Sequence, residues 1–75
     1  MKGKIFLLED IEQIAEHYKK MLQKEGYKVQ IALNSTSFFR IYENFKPDLI
    51  LLDIILKNSE MNGIEVFQEL QKRKD

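Results

Sequence analysis

Cysteine and tryptophan are absent from the 75 residues, histidine and proline occur once each, and glycine occurs three times. Without cysteine there is no disulfide, and with His17 as the single imidazole there is no cysteine–histidine zinc centre. Both staples that usually rescue small folds are thereby excluded. Neither sign of charge predominates: 12 basic and 12 acidic side chains leave a formal net charge of zero. That removes the electrostatic footprint of a general nucleic-acid or anionic-membrane binder, so no direct nucleic-acid or membrane partner is expected. Long apolar runs are missing too. The longest, 49–56, is broken by Asp53 and is far shorter than the roughly 20 residues that span a bilayer. The stretch after Lys4 meets Glu9 too soon to form a signal-peptide core, and a cytoplasmic location is expected.

Seventy-five residues suffice for one domain, 1–75, and exclude multidomain enzymes and repeat arrays. Area scaling gives roughly 13,000 Å² for the unfolded chain and about 4,900 Å² for a compact folded one. Burying the apolar part of the difference contributes about 110 kcal/mol, nearly matched by an ordering cost of about 1.5 kcal/mol per residue. A partner surface is the remaining source of stability. The 44% hydrophobic and 32% charged residues are interleaved, which marks a folding chain and not a disordered one.

Residues 4–8 form a short apolar run ended by Glu9 and Asp10, the pattern of a strand covered on both faces. Asp10 and Gln13 then form a capping-box pattern for a helix whose Ile11, Ile14, Tyr18, Met21 and Leu22 recur at spacings of three and four, and Gly26 ends it. Residues 27–31 alternate apolar and polar, as an edge strand does. Asn34 to Ser37 supply turn and cap chemistry for a second helix, lined by Phe38, Phe39, Ile41, Tyr42 and Phe45 and stopped by Pro47. Residues 48–53 repeat the first strand's form, with a carboxylate arriving at its carboxyl end. After a polar loop from Lys57 to Glu60, Asn62 and Glu65 make a second capping-box pattern ahead of Ile64, Phe67 and Leu70. Strands alternating with helices predict an α/β fold, β1-α1-β2-α2-β3-α3, with a parallel sheet and helices on both faces.

In a parallel sheet the strand carboxyl ends share one edge, which brings Glu9, Asp10 and Asp53 together. Crowded carboxylates raise one another's pKa unless a cation neutralises them, and hard oxygen ligands suit Mg²⁺. The competing reading is that these acids only cap helices and end strands. His17, between Glu16 and Tyr18, reads as a surface histidine, and the aromatic cluster of the second helix reads as core. Lys72, Arg73 and Lys74 suit the negative end of a helix dipole.

The segments Lys4-Ile-Phe-Leu-Leu-Glu-Asp10, Gly26-Tyr-Lys-Val, Pro47-Asp-Leu-Ile-Leu-Leu-Asp53 and Met61-Asn-Gly63 resemble, in order and spacing, the receiver domain of two-component response regulators. The resemblance covers essentially the whole chain and the first three of that family's five βα units. It implies a partial flavodoxin-like, doubly wound fold with a three-stranded sheet of order 2-1-3. It further implies that Asp53 is the phosphoacceptor for a phosphohistidine on a sensor histidine kinase. Asp10 would be a direct Mg²⁺ ligand, Glu9 a direct or water-mediated one, and the backbone carbonyl of Ile55 a further oxygen. Phosphatases that also use a strand-end aspartate place an acid two residues later to protonate the leaving group, a role that Ile55 cannot fill.

The departures matter as well. The family's Ser or Thr ending the fourth strand and its Lys ending the fifth lie outside a chain that resembles only three units. Lys57 stands where the family commonly has Pro, in a longer loop, and reads as a solvated side chain. Self-phosphorylation, not turnover, is the most enzymatic activity implied. A third strand left as an open edge predicts a homodimer through that edge. The alternative function is a receiver-like dimerisation or interaction module without phosphotransfer.

Overall fold

The computed structural model describes residues 2–53, 56–57 and 59–73. Its elements run β1 (Lys4–Leu8), α1 (Glu12–Lys24), β2 (Lys28–Ala32), α2 (Ser35–Phe45), β3 (Leu49–Leu52) and α3 (Gly63–Arg73). Both ladders are parallel: Ile5 lies opposite Val29 on one side and Leu49 on the other, and Leu8 lies opposite Ala32 and Leu52. The order β2-β1-β3 matches the sequence expectation. As the central strand, β1 buries its last four residues.

Side-chain alternation sends Phe6 and Leu8 to one face, where they form the core with Ala32, Phe38, Leu56, Val66 and Leu70. Phe38 stacks on Phe6 with ring centroids 4.4 Å apart, and Phe45 meets the same ring edge-on at 5.7 Å. The aromatic positions of α2 are thus core, as their spacing predicts. On the opposite face α1 lies over β2 and β1, with Ala15 fully buried.

Three expectations require correction. The run 48–53 reads as doubly covered, yet Leu49 and Leu51 are 51% and 38% exposed, because β3 is an edge strand and among the described residues α1 packs on β2 and β1 instead. The α1 stripe Ile11, Ile14, Tyr18 and Met21 is likewise exposed, as are Ile64 and Phe67 of α3. Their periodicity is helical, but no element among the described residues covers them. Finally, Asp10 does not cap α1. The cap position is Ile11, extended and without a side-chain hydrogen bond.

The other helix signals hold. Gly26, at φ 102°, reverses the chain after α1, and its N–H donates to the Gln23 carbonyl. Asn34 Oδ1 accepts from the Ser37 N–H at 2.8 Å at the start of α2, which ends before Pro47 with Lys46 left-handed at φ 51°. At α3 the capping box is reciprocal: Asn62 N–H donates to Glu65 Oε1 at 3.0 Å and Glu65 N–H to Asn62 Oδ1 at 2.9 Å. Near its end, Arg73 pairs with Glu69 and Glu43 at 3.1 and 3.4 Å and covers the Phe39 ring.

Candidate functional site

The ladders continue one residue past the strands. Glu9 N–H donates to the Ala32 carbonyl at 3.1 Å and Asp53 N–H to the Leu8 carbonyl at 3.0 Å. Main-chain bonding therefore holds Glu9 and Asp53 side by side at the carboxyl edge, with Asp10 next in line. Each of the three, half-buried, offers a carboxylate oxygen, and these oxygens lie within 4.8 Å of one another. Their convergence is the arrangement that strand topology predicts.

Each acid has a defined setting. Glu9 Oε1 accepts from the Ile11 N–H at 3.2 Å. Partial burial raises the Glu9 pKa, and the charge of Asp53, a hydrogen bond shared with it and the charge of Asp10 raise it further, while the Ile11 N–H opposes them. Asp10 Oδ2 accepts from the Lys57 N–H at 2.7 Å, and this engagement across 47 positions takes the carboxylate away from the helix it was expected to cap. A proline at that position could not donate. The Lys57 side chain is exposed, as expected. A cleft of about 220 Å³ opens beside the acids, lined by Leu7, Glu9, Tyr18, Leu51, Leu52 and Asp53. The fourth oxygen expected, the Ile55 carbonyl, lies outside the described residues.

The donor set fits a small hard cation. Glu9, Asp10 and Asp53 would hold such an ion, Mg²⁺ among them, through carboxylate oxygens that lie within 4.8 Å of one another.

The loop after β3 has a second anchor. Ser35, 2% exposed at the start of α2, donates its backbone N–H to Ser59 Oγ at 2.7 Å, and its hydroxyl accepts from the Met61 N–H at 3.3 Å. Sequence reading assigned Ser35 to local cap chemistry. No short-range pattern reveals partners 24 and 26 positions away. The Lys57 contribution is equally silent because it is a backbone amide. His17 is exposed on α1 and away from the acids.

The model of the response regulator receiver domain matches residues 5–75. The chain belongs to the response regulator receiver family. This receiver domain is 35% identical over 74 residues to the alkaline phosphatase synthesis transcriptional regulatory protein PhoP of Bacillus subtilis, covering 99% of the chain and 30% of PhoP. Among solved structures it resembles NtrX from Brucella abortus, with a TM-score of 0.91 at 26% identity over 97% of the chain and 16% of NtrX. The receiver domain of the Francisella response regulator 1452 shares the fold, with a TM-score of 0.88 at 19% identity over 97% of the chain and 59% of that domain. The receiver thus spans under a third of PhoP and about three-fifths of the Francisella domain. No helix among the described residues is long and apolar enough to cross a membrane.

Proposed function

We propose that this receiver accepts a phosphoryl group on Asp53 in two-component signalling, the donor being a phosphohistidine of a sensor histidine kinase. The observation that carries the reading is the approach of the Glu9, Asp10 and Asp53 carboxylate oxygens to within 4.8 Å of one another beside an open cleft. One Asp53 oxygen attacks phosphorus; the new O–P bond forms as the N–P bond of the donor breaks, and the electron pair leaves with the imidazole nitrogen. The product is an acyl phosphate. Mg²⁺, when bound, neutralises charge on the phosphoryl oxygens and on the acids that crowd them. Glu9 and Asp10 would hold it with Asp53, and the Ile55 carbonyl would add a fourth ligand. Tyr18, Leu51 and Leu52 line the open cleft beside Asp53, through which a donor reaches the carboxylate.

Intact-mass measurement after incubation with acetyl phosphate and Mg²⁺ tests the reading. One phosphoryl adduct on the wild type, absent from Asp53→Asn, is the expected result. A folded wild type that gains no adduct overturns it and leaves the interaction module without phosphotransfer.

A further inference from the structure

The loop that joins β3 to α3 is tied to the core, to an acid and to a helix. Leu56, 7% exposed, is packed in the core. Lys57 donates its N–H to Asp10 Oδ2 at 2.7 Å. Ser59 Oγ accepts from the Ser35 N–H at 2.7 Å, and the Met61 N–H donates to Ser35 Oγ at 3.3 Å. Ser35 is thereby a two-way clasp. It is the first residue of α2, where helix N–H groups lack an intrahelical partner, and Ser59 supplies one from 24 positions away. Its own hydroxyl, on a residue only 2% exposed, receives the amide just before the Asn62 cap of α3.

Of the three acids, Asp10 is the one in need of such support. Glu9 and Asp53 are set by ladder bonds to Ala32 and Leu8. Asp10 lies one residue beyond the ladder, and α1 begins after it with no side-chain cap. A short amide-to-carboxylate bond is charge-assisted and directional, so it stops the carboxylate turning and leaves the second oxygen to a cation. The donor is main chain, and its place is set by Leu56 on one side and by the Ser59–Ser35 bond on the other.

We infer that Ser35 is a positioning residue for the acid site: through Ser59 and Met61 it fixes the loop so that the Lys57 N–H holds the Asp10 carboxylate in the orientation that receives a divalent cation. Ser35 acts through the loop and not as a ligand. Groups that orient a metal ligand from behind govern affinity nearly as strongly as the ligand does. The role rests on the cation site proposed above and involves no phosphoryl donor.

The test is Mg²⁺ titration of the ¹⁵N-labelled chain without phosphodonor, followed at the Glu9, Asp10 and Asp53 amides, together with hydrogen exchange of the Lys57 amide in EDTA. Lys57→Pro, which removes the N–H, should raise the Kd for Mg²⁺ about tenfold or more. Lys57→Ala keeps the N–H and should bind no more weakly than the wild type. Ser35→Ala and Ser59→Ala should each raise Kd about threefold or more and speed exchange of the Lys57 amide, and Ser59→Thr, which keeps the acceptor, should behave as the wild type in both. In the Lys57→Pro background Ser35→Ala should add less than about twofold, because its path to Asp10 is already cut. A purely structural Ser35 would lower Tm in either background and leave Kd alone. Should Lys57→Pro fail to fold, the serine variants decide. Unchanged Kd in folded Ser35→Ala and Ser59→Ala, wild-type affinity in folded Lys57→Pro, an undiminished effect of Ser35→Ala in that background, or a wild type that binds no Mg²⁺ overturns the inference. An acetyl phosphate adduct on the wild type with unchanged Kd in the serine variants defeats the positioning role alone. The expected Kd pattern without an adduct defeats the phosphoryl reading alone.

Discussion

Asp53→Asn should stabilise the cation-free chain and at the same time abolish most of its stabilisation by Mg²⁺. Three carboxylate oxygens lie within 4.8 Å of one another. Coulomb's law gives each ionised pair at that distance about 0.9 kcal/mol of repulsion in water and about 3.5 kcal/mol at an effective dielectric of 20. The acids are half-buried and face an open cleft, so the lower figure is the better guide. Removing the Asp53 charge relieves two pairs, about 1–2 kcal/mol in total. For a domain of this size that raises Tm by about 4 °C or more. The assay is thermal unfolding followed by far-UV circular dichroism at mildly alkaline pH, in EDTA and in saturating Mg²⁺. In EDTA the variant should melt above the wild type, and added NaCl should shrink the difference. In Mg²⁺ the order should reverse, since binding to the native state alone stabilises by about 2.7 kcal/mol at a hundred times Kd. A variant that melts lower in EDTA, or an equal Mg²⁺ response in both proteins, would refute the reasoning.

Phe38 is fully buried and stacked on Phe6. Phe38→Ala should cost about 3–5 kcal/mol, a large part of the stability of so small a domain, and leave a broad, weakly cooperative urea transition where Phe38→Leu keeps a sharp one. Ser35→Ala removes the acceptor of the Met61 N–H, so it should cost about 1 kcal/mol and speed hydrogen exchange at Met61 ahead of global unfolding. The Glu9 carboxyl holds its proton above the ordinary glutamate range. Between the two values the folded chain binds more protons than the unfolded one, so stability in EDTA should fall as pH rises through that window. Urea titrations from about pH 4 to about pH 7 should show Glu9→Gln losing that part of the slope. Mg²⁺ favours the ionised form, so its binding should weaken as pH falls through the same window.

Local chemistry was legible in the residues themselves. The three strands, the stop at Gly26, the Asn34 cap and the Asn62–Glu65 box all depend on neighbours a few positions apart, and the folded chain keeps them. The meeting of Glu9, Asp10 and Asp53 was legible too, because parallel topology puts every strand's carboxyl end on one edge. Tertiary structure decided the rest. Asp10 turns from α1 to the Lys57 amide, and Ser35 holds the β3–α3 loop, through partners that no local pattern encodes. The same holds for the apolar stripes of α1 and α3. Periodicity specifies which residues share a helix face, but whether that face is buried depends on what packs against it, and beside β3 it remains open.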